Sequence, residues 1–303
     1  MWKPAIPRRH QRTDTTLLAQ STCTVSSSTT TVNSQADATK LSSCRTVKGS
    51  IVVGPLAGSN LDLSGFKEVT GDLSVLNNGV LETLVSSTLT TVGGAFTMNN
   101  VTKLNTLNFA SLTSVGSLKW QSVTNLNAVT LGPLTQAGEV TISDTFLDTL
   151  TGIDLTTVRT LDINNNRRLK TFTSKLGSLS DNLNIQANGI GLDISLPSLI
   201  WIANMTIANV TKFSVPSLKV VNGSARFDSN YFTSFSAPNL TSTESGDISF
   251  VGNGALTNMT FPKLATIGGG LLIANNTGLD QVTFFPKLTD VGGAVKLRGN
   301  FTE

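Results

Sequence analysis

Apolar and polar positions along the chain repeat in a fixed phrase. From Phe285 to Asn300 it reads FPKLTDVGGAVKLRGN: a Pro, Leu288, Val291 three residues on, a Gly-Gly pair, Val295 and Leu297 flanking one polar residue, and an Asn three places after Leu297. One unit earlier, from Phe261 to Asn276, it reads FPKLATIGGGLLIANN. Two apolar residues around a polar one predict a short strand with one buried face, and the glycines ahead of it predict a bend.

The second apolar residue of each strand marks the phase: Val53, Val75, Met98, Trp120, Ile142, Ile163, Ile185, Ile207, Phe227, Phe250, Ile273 and Leu297, at steps of 20 to 24 residues. Twelve units in near-constant register predict a stacked solenoid, because one turn of this size cannot bury its apolar side alone. The inward pairs run from Ile51/Val53 to Val295/Leu297. The residues between them point outward: Val52, Ser74, Thr97, Lys119, Thr141, Asp162, Asn184, Thr206, Arg226, Ser249, Leu272 and Lys296. Ten of these twelve are polar, the period-two alternation of a strand and not of a helix.

A further apolar segment closes each turn, as in Leu104-x-x-Leu107-x-Phe109 and Leu256-x-x-Met259-x-Phe261, and P-x-L pieces such as Pro197-Ser-Leu199 and Pro216-Ser-Leu218 mark corners. Pro at a strand entry removes no ladder bond. The expected fold is mainly β: a parallel β-solenoid of about twelve rungs of about 22 residues, each a flattened triangle of short strands, with a short N-terminal helical cap.

Residues 21–47 are expected to form that cap. Ser34 followed three places later by Asp37 reads as a helix start, with Ala38 and Leu41 on one side. A polar-faced cap covers an otherwise sticky open rung. Cys23 and Cys44, the only cysteines, flank this segment. Their even number and position suggest a disulfide stapling the cap, worth about 3 kcal/mol for a loop of this size. Two unpaired buried thiols are the alternative.

Three residues after the phase marker, Asn78, Asn166, Asn188, Asn230, Asn253, Asn276 and Asn300 recur. An amide carries both donor and acceptor, so stacked Asn can satisfy backbone groups that a buried turn leaves unpaired. These are read as a structural ladder. Eight N-x-S/T sequons occur, at Asn100, Asn204, Asn209, Asn222, Asn239, Asn258, Asn275 and Asn300. About six would arise by chance from 26 Asn in a chain one quarter Ser and Thr, so their number proves little. Asn300 is expected to be buried in the ladder and a poor glycan site. Asn100, Asn209 and Asn275, one position earlier in their rungs, are expected to face water.

Charged residues make up 14% of the chain and the net charge is +3, with Lys3, Arg8, Arg9 and Arg12 in the first twelve positions. There is no basic stripe of the kind a nucleic-acid binder needs. Ser and Thr account for 75 of 303 residues, which suits an extracellular glycoprotein and equally the polar side of many strands. Residues 1–20 lack the apolar run of a signal peptide and read as a disordered or non-native leader remnant. Residues 48–303 form the solenoid, which stops inside a rung at Asn300-Phe-Thr-Glu303 and is expected to be truncated.

The phrase L-x-x-V-x-G-x-Φ-x-Φ-x-x-N, read from Leu288 to Asn300 and varied in every rung, resembles the receptor L-domain form of the leucine-rich solenoid. Together with Cys23 to Cys44, the Val47-Lys-Gly-Ser-Ile-Val-Val segment and the P-x-L openings, it is similar to the fungal family of GPI-anchored cell-wall organisation and sporulation glycoproteins. The resemblance covers about residues 21–303. It implies secretion, N-glycosylation, a Ser/Thr-rich stalk, a lipid anchor and a role in wall integrity, with no catalytic residue to carry over. Partners would be cell-wall polysaccharide or wall proteins, and contact with a membrane would run only through a lipid anchor, which is expected to be missing from this chain. No cofactor is expected.

The rival class is a β-helical polysaccharide lyase or hydrolase. Carboxylates on the outer strand face are Asp162 and Asp228, three rungs apart, hence about 14 Å at 4.8 Å per rung. Paired carboxylates of glycosidases lie about 5 to 9.5 Å apart. His10 is the only His, so Ser-His-Asp and Cys-His sites are excluded and no four-ligand zinc set exists. Arg167-Arg168-Leu-Lys170 reads as a solvated turn more readily than an anion site. Asp144 and Asp148, which flank a turn, could hold a cation. A polar row including Thr97, Lys119, Gln121, Thr141, Asp162, Asn184 and Gln186 forms a possible interaction face, and a polysaccharide-binding surface is the alternative function. That row carries no exposed aromatic; Trp201 is the one that could lie outside.

Overall fold

Each inward pair registers on the next without a slip. In the computed structural model, which describes residues 21–302, Val140 and Ile142 lie opposite Leu118 and Trp120 on one side and Leu161 and Ile163 on the other. The same parallel pairing continues from Ile51/Val53 to Val295/Leu297. The main wall is an 18-stranded sheet. A second wall is broken into sheets of four, three and two strands, centred on residues such as Leu107, Ile194 and Phe235. His10 and the rest of residues 1–20 lie outside the described residues.

Between the walls runs one continuous apolar core. Phe227 stacks on Phe250 at 4.5 Å between ring centroids, and Phe261 stacks on Phe285 at 5.1 Å, so the aromatic residues of successive rungs extend the core along its axis. In the twelfth rung Val295 and Leu297 pair in register but remain 54% and 44% exposed.

Two bend features build the corners. The residue two places after the phase marker is left-handed in ten rungs: Asn77, Asn100, Ser122, Asp144, Asn165, Ala187, Asn209, Ser229, Gly252 and Asn275, with φ between 51° and 68°. Asn, Asp and Gly tolerate this region; Ala187 does not. At the opposite end of the strand, glycine bends nest on one another. A Cβ on Gly292 would collide with the Gly268 carbonyl, and one on Gly246 with the Gly223 backbone.

Ahead of the first rung stands the strand Ser21–Val32, parallel to Cys44–Val53, with Val32 opposite Val53. The sequence reading has no strand there, because the segment is dominated by Ser and Thr and lacks the alternation of apolar and polar residues that marks the other strands. The helix Gln35–Leu41 follows. Its Ser34 cap accepts the Asp37 N–H, Ala38 is buried, and Leu41 packs against the core. Gln35 fastens the helix to the first turn, donating to the Asp62 carbonyl and accepting the Asp62 N–H, both at 2.9 Å. Cys23 and Cys44 form a disulfide that ties the cap strand to the strand below it.

The ladder follows one rule. Asn166, Asn188, Asn230, Asn253 and Asn276 each donate the side-chain amide to the carbonyl of the previous rung's phase marker, respectively Ile142, Ile163, Ile207, Phe227 and Phe250, at 2.8 to 2.9 Å. Their Oδ1 atoms accept the N–H of the residue stacked beneath. Asn78 instead donates to the Gly54 carbonyl and accepts from Val80 and Leu81. Asn300 departs from the expectation: it is exposed, whereas the buried ladder residues Asn166, Asn230, Asn253 and Asn276 each lie beneath the strand of a following rung.

Candidate functional site: the outer face of the main sheet

Along the solenoid the outward residues form straight columns. Thr97, Lys119, Thr141, Asp162 and Asn184 lie opposite one another in consecutive rungs, as do Asn99, Gln121, Ser143, Asn164 and Gln186. The expected interaction face is therefore contiguous. Part of its chemistry is turned inward on itself. Asp162 Oδ1 accepts from the amides of Asn164 at 2.7 Å and Asn184 at 2.9 Å, and Ser143 donates to Asn164. Beside this row Lys119, Glu139, Arg159 and Asp181 alternate in sign over four rungs and pair in sequence.

The basic turn behaves likewise. Arg168 grips Asp148 with two bonds, at 2.9 and 3.1 Å, and its guanidinium lies 4.3 Å above the centroid of the Phe146 ring. The hydrogen bond from Arg168 holds the Asp148 carboxyl below its ordinary range and Asp148 raises Arg168 in turn. Asp148 is thus an ion-pair partner, and among the described residues no group of three or more His, Cys, Asp or Glu could hold a metal. Sequence reasoning overlooked Phe146 and Tyr231 as exposed aromatics; Trp201 is half-buried.

Further along the same face, over the ninth to twelfth rungs, the picture changes. Arg226, Ser249, Leu272 and Lys296 continue the outward column, with Asp228 and Asp247 on either side of it. The stacked glycines Gly268–Gly270 and Gly292–Gly293 carry no side chains, and the result is a groove of about 640 Å³. Arg226 and Lys296 join no ion pair or hydrogen bond among the described residues. Asp228 is half-buried, and desolvation pushes its carboxyl up against a smaller opposing pull from Arg226.

The sequons spread unevenly around this face. Asn100, Asn204, Asn222, Asn258, Asn275 and Asn300 are exposed, whereas Asn209 and Asn239 are half-buried. Asn209 accepts the Ala187 N–H, and Asn239 donates to the Pro216 carbonyl. No sequon lies on rungs four to seven. No helix among the described residues is long and apolar enough to cross a membrane.

Comparison with known proteins adds relatives. A family model described as the GPI-anchored cell wall organization protein Ecm33 matches residues 15–42, which include the cap helix. Protein ecm33 of Aspergillus fumigatus is 38% identical over 253 residues, covering 83% of this chain and 63% of that protein. A cell surface GPI-anchored protein of Arthroderma benhamiae is 37% identical over 273 residues, covering 89% of this chain and 70% of its own length. Sporulation-specific protein 2 of Saccharomyces cerevisiae is 33% identical over 264 residues, or 85% of this chain and 52% of that protein. The chain thus spans between about half and about two thirds of the length of these relatives. No solved structure matches it.

Proposed function

The chain belongs to the Ecm33 family of fungal GPI-anchored cell wall organisation proteins, and from that premise we propose that it is a non-enzymatic surface glycoprotein that organises the wall and maintains its integrity. The observation that carries the non-enzymatic reading is that Asp228, the raised carboxyl of the groove, has no second free carboxylate to work with: Asp247 of the same groove accepts the Gly270 N–H, and the remaining outer-face acids are engaged. Asp162 is held by two Asn amides, Glu139 and Asp181 by Arg159, and Asp148 by Arg168. An acid cleaving a glycosidic bond needs a free carboxyl with a second one about 5 to 9.5 Å away. Carboxylates locked into ion pairs and amide bonds support a rigid presenting surface instead.

Cell-wall polysaccharide or other wall proteins are the proposed partners. N-glycans on the exposed sequons and attachment through a lipid anchor belong to the same proposal. The test is cellular: fungal cells lacking this protein are expected to lyse more readily under osmotic stress and to recover when it is restored. Walls of unchanged strength in the deleted cells would overturn the proposal.

A further inference from the structure

We propose that the groove over the ninth to twelfth rungs binds a neutral, extended glycan chain lying across the rungs. The proposal rests on the wall location argued above, and it adds a site that neither the sequence reading nor the family resemblance marks out. Four observations lead to it.

First, the two halves of the outer face differ in what their polar groups are doing. Over rungs four to seven, Lys119, Arg159, Asp162 and Asn184 all have partners within the protein. Over rungs nine to twelve, Arg226 and Lys296 make no hydrogen bond or close ion pair among the described residues, Arg226 acting on Asp228 through its charge alone, and Ser249 adds a hydroxyl between them. Both side chains are exposed, so a ligand can bond them without first breaking a contact inside the protein.

Second, the mixture of groups selects the ligand. Sugar hydroxyls donate and accept at once, and vicinal pairs match a guanidinium or a carboxylate with two bonds. A groove carrying both Arg226 and Lys296 and both Asp228 and Asp247 suits such a ligand better than a polyanion, which the acids would repel, or a polycation, which the bases would repel. Leu272, half-buried in the same column, offers an apolar contact for the carbon face of a ring.

Third, the floor is flat for a reason. The glycines are needed so that bends can stack, since a Cβ on Gly292 would strike the Gly268 carbonyl. Their lack of side chains leaves a recess in which a sugar ring can approach the backbone.

Fourth, the repeat distances agree. Successive rungs are about 4.8 Å apart, close to the advance of one pyranose along an extended β-1,4-linked chain such as a chitin oligomer, so each sugar of such a chain meets an equivalent place on the next rung.

The experiment measures binding of laminarihexaose and chitohexaose to the full chain by titration calorimetry, alongside the variants Arg226→Ala, Asp228→Ala and Lys296→Ala. Lys175→Ala and Lys212→Ala, whose ammonium groups pair with Asp154 and Asp193 away from the groove, serve as controls, and thermal unfolding verifies that each variant is folded. Saturable binding of at least one hexasaccharide is expected, weakened about tenfold or more by each groove variant, since each removes one charged hydrogen-bonding group. The controls should bind as the unaltered protein does. Undiminished binding by the groove variants, or loss in the controls instead, would overturn the assignment. Two further outcomes would also do so: no binding of either hexasaccharide, or binding only of an acidic polymer in a manner abolished by salt. Neither would touch the wall function, which is decided by the lysis of deleted cells.

Discussion

The Oδ1 of Asn276 accepts two hydrogens from Asn253, one from its backbone N–H at 2.9 Å and one from its side-chain amide at 3.0 Å. Asn253 in turn donates to the Phe227 carbonyl and accepts from Asn230. One side chain thereby connects three rungs inside a core where nothing else can satisfy those groups. Replacing Asn253 with Ala strands a buried carbonyl and a buried N–H. Destabilisation of about 2–4 kcal/mol is expected, measured by urea unfolding. A loss under about 0.5 kcal/mol, the range of ordinary surface changes, would mean the ladder is not structural.

Ala187 occupies the left-handed corner that Asn or Gly holds in six of the ten rungs with this geometry. An L-residue with a Cβ is penalised there by about 1–2 kcal/mol, and Asn escapes much of that. Ala187→Asn, at an exposed position, should therefore raise stability by about 1 kcal/mol, seen as a higher midpoint in the same unfolding assay. A neutral or destabilising result would contradict the corner assignment.

The disulfide ties the cap strand to the strand Cys44–Val53. Cys23→Ser should lower stability by about 3 kcal/mol and expose the Ser21–Val32 edge to hydrogen exchange. Slow exchange that persists at Thr30 and Val32 would show that the strand stands without the bond.

Asp228 gives a pH-dependent effect with a defined sign. Its folded-state carboxyl is pushed up by desolvation, so between the unfolded and folded values the native state holds the proton more tightly. Stability contributed by the protonated form is present below the unfolded value and is lost as pH rises through the folded one. Asp228→Asn should therefore be more stable than the unaltered protein at neutral pH, with the difference vanishing in acid below the usual carboxylate range. A difference that grows in acid would reverse the assignment.

Much of this fold is legible in the chain because it rests on period and phase. Every inward pair and outward column from Ile51 to Leu297 follows from counting 20 to 24 residues. The cap helix is legible through Ser34 and Asp37, whose spacing lets Ser34 accept the Asp37 N–H while Asp37 accepts the Asn33 N–H. The strand Ser21–Val32 is not, because its pairing is set by the neighbouring strand and the disulfide and not by an apolar alternation of its own. The left-handed corner could have been found from the Asn-Asn pairs at 77–78, 165–166 and 275–276, where the first Asn suits positive φ and the second the buried amide bonds.

The site is less legible than the fold. Outward residues can be named from alternation, but whether they are free depends on partners a rung away, at separations of about 22 residues. Asp162 looks available in the sequence and is held by Asn184. Arg226 looks like any other outward residue and lines a groove whose floor exists only because glycines from successive rungs stack.

The central functional claim, that this surface holds wall polymers without cutting them, is tested most directly by incubating the purified chain with insoluble β-1,3-glucan and chitin and analysing the soluble fraction by mass spectrometry. Sedimentation of the protein with a polymer, with no oligosaccharide released over prolonged incubation, is the expected result. Release of oligosaccharides with new reducing or unsaturated ends, growing in proportion to protein, would contradict it.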